Sequence, residues 1–323
     1  MGLSANIFLI AALSIVTPEN GATVKHTAFD SEEWLMKRGV YTQEAERLEK
    51  AYREYSQRKS EPAEGAVIPV ETYPNGSIKL SVTAARAKFF LKEGFVLAED
   101  VVIVKLDEDG MEESRIEAEK CLIDRNTRNG WVEGPAKVVH DKTAYTGENV
   151  FFSTEDGYVA TMKNSKLVAT DIKIQDVKEL RPEMKDLKQE GSSTITSERS
   201  DFDREASVAM FEGKAQVSYS SGYYMWADQI YAFFAGSNDL NRVVATGNVA
   251  ISNDTRIGRC ASAVFKRRTQ EIEMYGEKDG SNLARLAEIG KDEVAGGRIR
   301  FWADSDQVEV GGSEITFGKG KEK

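Results

Sequence analysis

"VVATGNVAISNDTRI", residues 243–257, alternates apolar and polar side chains like a β-strand, yet carries Gly247 in its middle. Glycine packs nothing in a strand and loses the most backbone freedom on ordering. In that position it marks a bulge, a bend or a close backbone approach. The feature recurs: "WVEGPAKVV" holds Gly134, "MFEGKAQVSY" Gly213, "IEMYGEKDG" Gly276, and "VEVGGSEITF" Gly311 and Gly312. Ahead of most of these lies a strand with a small residue followed by bulky apolar ones: "RIEAEKCLID", "YMWADQIYAFF", "RCASAVFKR" and "GGRIRFWAD". Such a period, roughly 30 residues, describes stacked hairpins, each too small to bury its own apolar face. The glycines then curl the sheet. The expected fold class is all-β, a curved, repetitive structure of stacked antiparallel hairpins behind a short helical arm.

Outward from that repeat, the turns agree. "YPNGS", "LDEDGME", "RNTRNG", "STEDGY" and "SNDT" separate the alternating runs, and Asn-Gly or Asp-Gly between such runs signals a hairpin. Asn75 and Asn253 match glycosylation sequons, but tight turns account for both. "DEDG" (107–110) lacks the ligand set of a calcium loop and reads as a turn. Before the strands, Thr42 can cap a helix through Tyr55, with Ala45, Leu48, Tyr52 and Tyr55 along one face. Asp30 can cap a shorter helix ended by Gly39. Alternation vanishes over "ELRPEMKDLKQEGSS" (179–193), which reads as a linker. The boundaries expected are 1–22 for a signal peptide or hydrophobic N-terminal segment, 23–66 for the arm and 67–178 for a first module. A linker at 179–194, a second module at 195–318 and a basic tail at 319–323 complete them.

At 323 residues the chain can hold two domains. Forty-three basic against 53 acidic residues give a net charge of −10, which repels nucleic acid, and no basic patch of useful size offsets it. "ANIFLIAALSIV" near the N-terminus is shorter than the roughly 20 apolar residues a membrane span needs and fits a secretion signal. Export is expected, with membrane anchoring if the segment is retained. Cys121 and Cys260 read as two small buried hydrophobes.

No catalytic constellation appears. The two histidines, His26 and His140, are isolated, and the chain has no H-E-x-x-H, G-x-S-x-G, C-x-x-C or phosphate-binding glycine loop. The reading is of a non-enzyme with no metal and no cofactor. "GYYMWADQIYAFFAG" instead carries bulky apolar residues at both parities. A strand apolar on both faces is either sandwiched in a core or faces an apolar ligand.

The repeated "A-D-x-(I/A)-x-(Y/F)", turn, "(V/I)-x-x-x-G-x-V-x-(I/V)", here "WADQIYAFFAGSNDLNRVVATGNVAI", resembles the OstA-like periplasmic lipopolysaccharide-export proteins of Gram-negative bacteria. Residues 192–317 resemble their LptA-type bridge. Residues 67–177, with "ARAKFFLKEGFVLAEDVVI" and "SRIEAEKCLIDRNTRNGWVEG", resemble the LptC-type component. The resemblance implies an all-β fold of two open β-jelly-roll modules, whose apolar grooves hold the acyl chains of lipopolysaccharide. It further implies edge-to-edge docking with other Lpt-type jelly rolls, head-to-tail self-association, and drive from an inner-membrane ABC transporter. Lining candidates are Ile116, Leu122, Trp131, Phe152, Phe202, Trp226, Ile230, Phe233, Val249, Phe265, Met274 and Phe301. Edge candidates are Ile78 and Leu80 on one side, Ile315 and Phe317 on the other. The competing reading is a structural or adhesive envelope β-repeat protein with a dry core.

Overall fold

The computed structural model describes residues 32–140, 143–169, 192–219, 222–235, 239–277, 280–289, 293–302, 305, 307–311 and 316–318. The expected signal segment, the basic tail and nearly all of the expected linker lie outside them. The chain forms two compact units, Met1–Glu46 and Arg47–Lys323, and the described part of the first is the start of helix α1 (Glu32–Gln57). Where two helices were expected, the described residues form one, and Asp30, the expected cap of the shorter helix, lies outside them. Gly39 costs a helix interior only about 1 kcal/mol, and Thr42 does not cap: its hydroxyl donates back to the Arg38 carbonyl, 2.9 Å away. Glu49–Arg53 and Glu54–Arg58 pairs, four residues apart, brace the later turns.

The second unit is an antiparallel meander. Its first half comprises β1 (Ala63–Thr72), β2 (Ile78–Phe90), β3 (Phe95–Leu106), β4 (Glu112–Asp124), β5 (Asn129–His140), β6 (Thr143–Ser153) and β7 (Tyr158–Ala169), each paired with the next. A broken strand follows, β8 (Ser193–Ser197) and β9 (Arg199–Asp203). It pairs with β7 on one side and with β10 (Val208–Tyr219) on the other. The ladder therefore passes from the first half to the second without a change of sheet. It continues through β11 (Tyr224–Ala235), β12 (Asp239–Ser252) and β13 (Arg256–Lys266).

A crease crosses these strands and divides each into two arms. Gly134 in β5, Gly213 in β10 and Gly247 in β12 have φ of +81°, +74° and +75°, the left-handed region that glycine enters without steric cost. At each, the register slips as in a β-bulge. Asp100, Asn149 and Asn164 take the same backbone in β3, β6 and β7, as Asn and Asp do more readily than other side chains. Polar side chains tie neighbouring bends together. Asn248 Nδ2 donates to Asp228 Oδ2 (2.8 Å), Asn164 Nδ2 to Glu148 Oε1 (2.9 Å), and the Gly134 N–H to Asn149 Oδ1 (3.0 Å). This explains the repeated Ala-Asp: Ala227 lies on the buried face at the bend, and Asp228 holds the neighbouring bulge.

Gly276 and Gly311 do not belong to the crease. Gly276 follows β14, its N–H donates to the Gly297 carbonyl at 3.0 Å, and an added Cβ would stand 2.5 Å from the Asn282 carbonyl oxygen. Gly311 ends its strand in open space. They lie beyond a fork. The Ser262–Lys266 arm of β13 pairs with β14 (Glu271–Tyr275), which leads to β17 (Arg298–Trp302) and β18 (Val308–Gly311). Its Arg256–Arg259 arm pairs with β15 (Ala284–Glu288), which leads to β16 (Glu293–Gly296) and β19 (Thr316–Gly318).

Candidate functional site

The inner face of the creased sheet carries two apolar clusters. The first gathers Val82, Ala98, Ile103, Ile123, Val132 and Phe152 with their neighbours. The second gathers Phe211, Met225, Ile230, Phe265, Met274 and Phe301 with theirs. Small residues such as Ala98, Ala136, Ala215, Ala227 and Ala245 line the bend, where the two arms of a strand converge and no large side chain fits. Further from the bend the arms meet. Tyr219 and Phe265 rings lie 4.6 Å apart and Tyr223 and Phe301 rings 6.4 Å apart, and Met274 fills the space over Gly258, where a Cβ would be 2.8 Å from its Cε. Phe211, Ile230 and Phe301 are fully buried between the walls.

Between the clusters, at β6, β7 and β9, four inward side chains carry hydroxyls. Tyr145 Oη donates to Ser200 Oγ, Ser165 Oγ lies 2.5 Å from Ser200 Oγ, and Thr161, cross-strand neighbour of Ser200, has no hydrogen-bond partner for its Oγ1. Thr161 and Ser200 are completely buried. The Thr161 methyl fills the space of a side chain at Gly147, whose Cβ would fall 2.0 Å from it. Burial pushes the Tyr145 hydroxyl well above its ordinary range, so it remains a donor. Burial likewise pushes the Cys260 thiol up to about 12 and Cys121 higher; Cys121 is fully buried, and Cys260 is partly buried against the second cluster.

The structure sorts the lining candidates by face. Ile116, Phe152, Phe202, Ile230, Val249, Phe265, Met274 and Phe301 belong to or pack against the inner clusters. Leu122, Trp131, Trp226 and Phe233 do not. Leu122 and Trp131 are buried on the other face, where Arg47 of α1 reaches Asp124 (2.6 Å) and the Trp131 indole N–H donates to Glu133. Trp226 is 38% exposed and stacks on Tyr224, while the Arg242 guanidinium covers Phe233. Each bulge shifts the alternation by one residue, so parity counted across a bend names the wrong face. Phe211 and Tyr223 went unsingled although each sits in an alternating run. The hydroxyl group gave no local signal, because its members come from three separate strands.

The open edge at the N-terminal end is β1, not the strand of Ile78 and Leu80. β2 has β1 on one side and β3 on the other, and Leu80 is buried. Among the described residues β1 has one neighbour, and its Ala66, Ile68 and Val70 pack, partly exposed, against the first cluster. At the other end β18 and β19 have one neighbour each, with Val294, Val308 and Val310 partly exposed against the second cluster. Phe317 pairs with Val294 in β19, and Ile315 lies outside the described residues. Two hollows follow the crease, one of about 720 Å³ lined by Glu117, Pro135, Gly147 and neighbours, and one of about 540 Å³ between Lys214 and Asp228. Among the described residues no helix is long and apolar enough to cross a membrane, and no group of His, Cys, Asp or Glu has the geometry to hold a metal.

No family model and no curated protein matches the chain. Among solved structures it is similar to LptH, the LptA homologous periplasmic component of the conserved lipopolysaccharide transport device from Pseudomonas aeruginosa. The identity is 10% and the TM-score 0.34, over 39% of this chain and 92% of that one.

Proposed function

We propose that this chain is a non-enzymatic lipid carrier of the Gram-negative periplasm that holds lipopolysaccharide by its acyl chains between the two arms of the creased sheet. The observation that carries the reading is the inner face itself: two apolar clusters line it between β1 and the fork, and partly exposed aliphatic side chains stand at both ends. Each methylene transferred from water to such a lining contributes about 0.8 kcal/mol, so a few acyl chains suffice without polar contacts. The walls meet at side-chain tips, so chains enter by parting the arms about the crease. The choice of lipopolysaccharide rests on the resemblance of the repeat to OstA-like export proteins. On the same footing the open edges at β1 and at β18 and β19 would add strands from Lpt-type jelly rolls or from a second copy, in a chain fed by an inner-membrane ABC transporter.

The competing reading, a structural protein with a dry core, is favoured by the complete burial of Phe211, Ile230 and Phe301. Photo-crosslinking residues placed at Ile230, Val249 and Phe301 separate the two, with Trp226 and Phe233 as outward controls. A lipid carrier crosslinks lipopolysaccharide in cells from the inner positions and not from the outer ones. Silence at every inner position, with no lipid in mass spectra of the purified protein, establishes the dry core instead.

A further inference from the structure

The hydroxyl cluster is out of place in a hydrocarbon interior. Valine or alanine at Thr161, Ser165 and Ser200, with phenylalanine at Tyr145, would fill the same space without burying polar groups. A buried hydroxyl without a partner carries a desolvation cost that its neighbours do not offset. Thr161 Oγ1 is such a group: it is fully buried, faces the Tyr145 and Ser200 hydroxyls, and makes no hydrogen bond of good geometry with either. The cluster also stands at one place along the interior, where the first apolar cluster ends and the second begins. Its charged neighbours on β9, Arg199 and Asp201, pair with each other on the opposite face, at 3.2 Å. A phosphate or carboxylate entering here would find no counter-charge, and pure hydrocarbon would leave Thr161 unpaired. A carbonyl oxygen accepts a hydrogen bond, needs no partner for a donor of its own, and can be buried without charge.

We propose that Tyr145, Thr161, Ser165 and Ser200 form a recognition point for the carbonyl of an acyl ester or amide. This rests on the lipid-carrying reading above and adds the class of linkage the interior selects. A bound acylated lipid then places one linkage between Thr161 and the serines, with its hydrocarbon in the apolar lining on either side. Tyr145 and Ser165 act by orienting Ser200, and the methyl of Thr161, seated over Gly147, turns its hydroxyl toward the cluster.

The test uses the full chain and two probe lipids matched in headgroup and chain length, a diester phosphatidylglycerol and its diether analogue, with affinities read by native mass spectrometry and fluorescent-probe displacement. The expected result is tighter binding of the ester by about fivefold to tenfold, the worth of one buried hydrogen bond. Thr161→Val should remove that preference while leaving diether affinity unchanged, and Thr161→Ser should keep it. Ser200→Ala gives an independent variant, in which the preference should also fall. Equal affinity of the wild-type chain for ester and ether overturns the proposal and leaves the lipid-carrying reading standing, as does a preference unchanged in Thr161→Val. Failure to bind either lipid overturns both.

Discussion

The two halves of the meander share a hairpin unit and a crease but place their aromatic bulk on opposite faces. Inside the first half, β1–β7, the apolar cluster is alanine, valine, isoleucine, leucine and Cys121, with Phe152 its one aromatic side chain. Apart from Phe152 and Tyr145, its buried rings lie on the other face. Tyr55 of α1 stands 4.7 Å from Phe90 and 4.8 Å from Phe95, and Phe151 packs on Tyr158. In the second half the rings turn inward: Phe211, Tyr223, Phe265 and Phe301 are buried in the interior. The outer face of its β13, β14 and β17 carries a ladder of charges instead. Glu273 takes Lys266 at 3.1 Å and Arg298 at 2.7 Å, and Arg300 reaches Glu309 at 3.1 Å. Aromatic side chains bury 150–250 Å² each and settle on whichever face has a cover. In the first half that cover is the helix, and in the second it is the opposing arm.

The largest effects should follow that division. Phe211→Ala is expected to cost about 3–5 kcal/mol, as other buried aromatic truncations do, measured by chemical denaturation. Because β7 pairs directly with β8 and β9, the loss should appear as one cooperative transition; two separated transitions would show that the halves fold apart. Leu48→Ala, on the buried stripe of α1, should cost about 2–5 kcal/mol, with hydrogen-exchange protection falling in β3 and β4 before β14 and β17.

Two glycines of the crease sharpen the comparison further. Gly247→Ala must hold alanine at φ +75° and brings its Cβ to 2.5 Å from the Asp228 carboxylate, so about 1–3 kcal/mol is expected. Gly134→Ala meets no atom within 4 Å and should cost only about 1 kcal/mol of backbone strain. Equal costs at the two sites would mean that the second half bends no more tightly than the first.

Acid should act on the second half. Burial alone pushes the Glu273 carboxyl up. A proton held by the neighbouring Glu271, whose own carboxyl burial pushes up, and the hydrogen bonds donated by Tyr275 and Lys266 outweigh it and hold it at about 2, below the ordinary value of 4.5. A carboxylate whose folded pKa is depressed adds stability above its unfolded pKa and loses it as pH falls toward the folded one. The contribution is therefore present above about pH 4.5 and fades toward pH 2. Glu273→Gln should flatten that limb of the stability curve, with little change in the protection of β2–β5. The smallest effect belongs to Trp226→Ala, within about 0.5 kcal/mol, because the ring lies on the outer surface.

Much of this was legible along the chain. Alternation with Asn-Gly and Asp-Gly turns is a local signal, and the side chains of Asn75 and Asn253 do close those turns, accepting from the Ser77 N–H at 2.9 Å and the Arg256 N–H at 2.6 Å. Three of the repeated glycines lie on the crease, while Asp100, Asn149 and Asn164 do the same work without a glycine to announce it. Gly39 looked like a helix end and is not one, because a single glycine costs less than a long helix with ion pairs supplies. Trp226 looked inward because alternation was counted through a bend, while Phe233, three residues from Ile230 on the same arm, falls on the opposite face by plain alternation.

The sequence by itself determined the local terms: strand period, turn chemistry, the bends, and the absence of any recurring catalytic motif. These are set by neighbours a few residues apart, through backbone sterics and side-chain parity. Only the tertiary structure decided which face of each arm is inside, that β1 rather than β2 is the edge, that β13 forks, and that Tyr145, Thr161, Ser165 and Ser200 share one dry place. Each of those depends on strands distant in the chain being brought into register, and a one-residue bulge is enough to reverse a face.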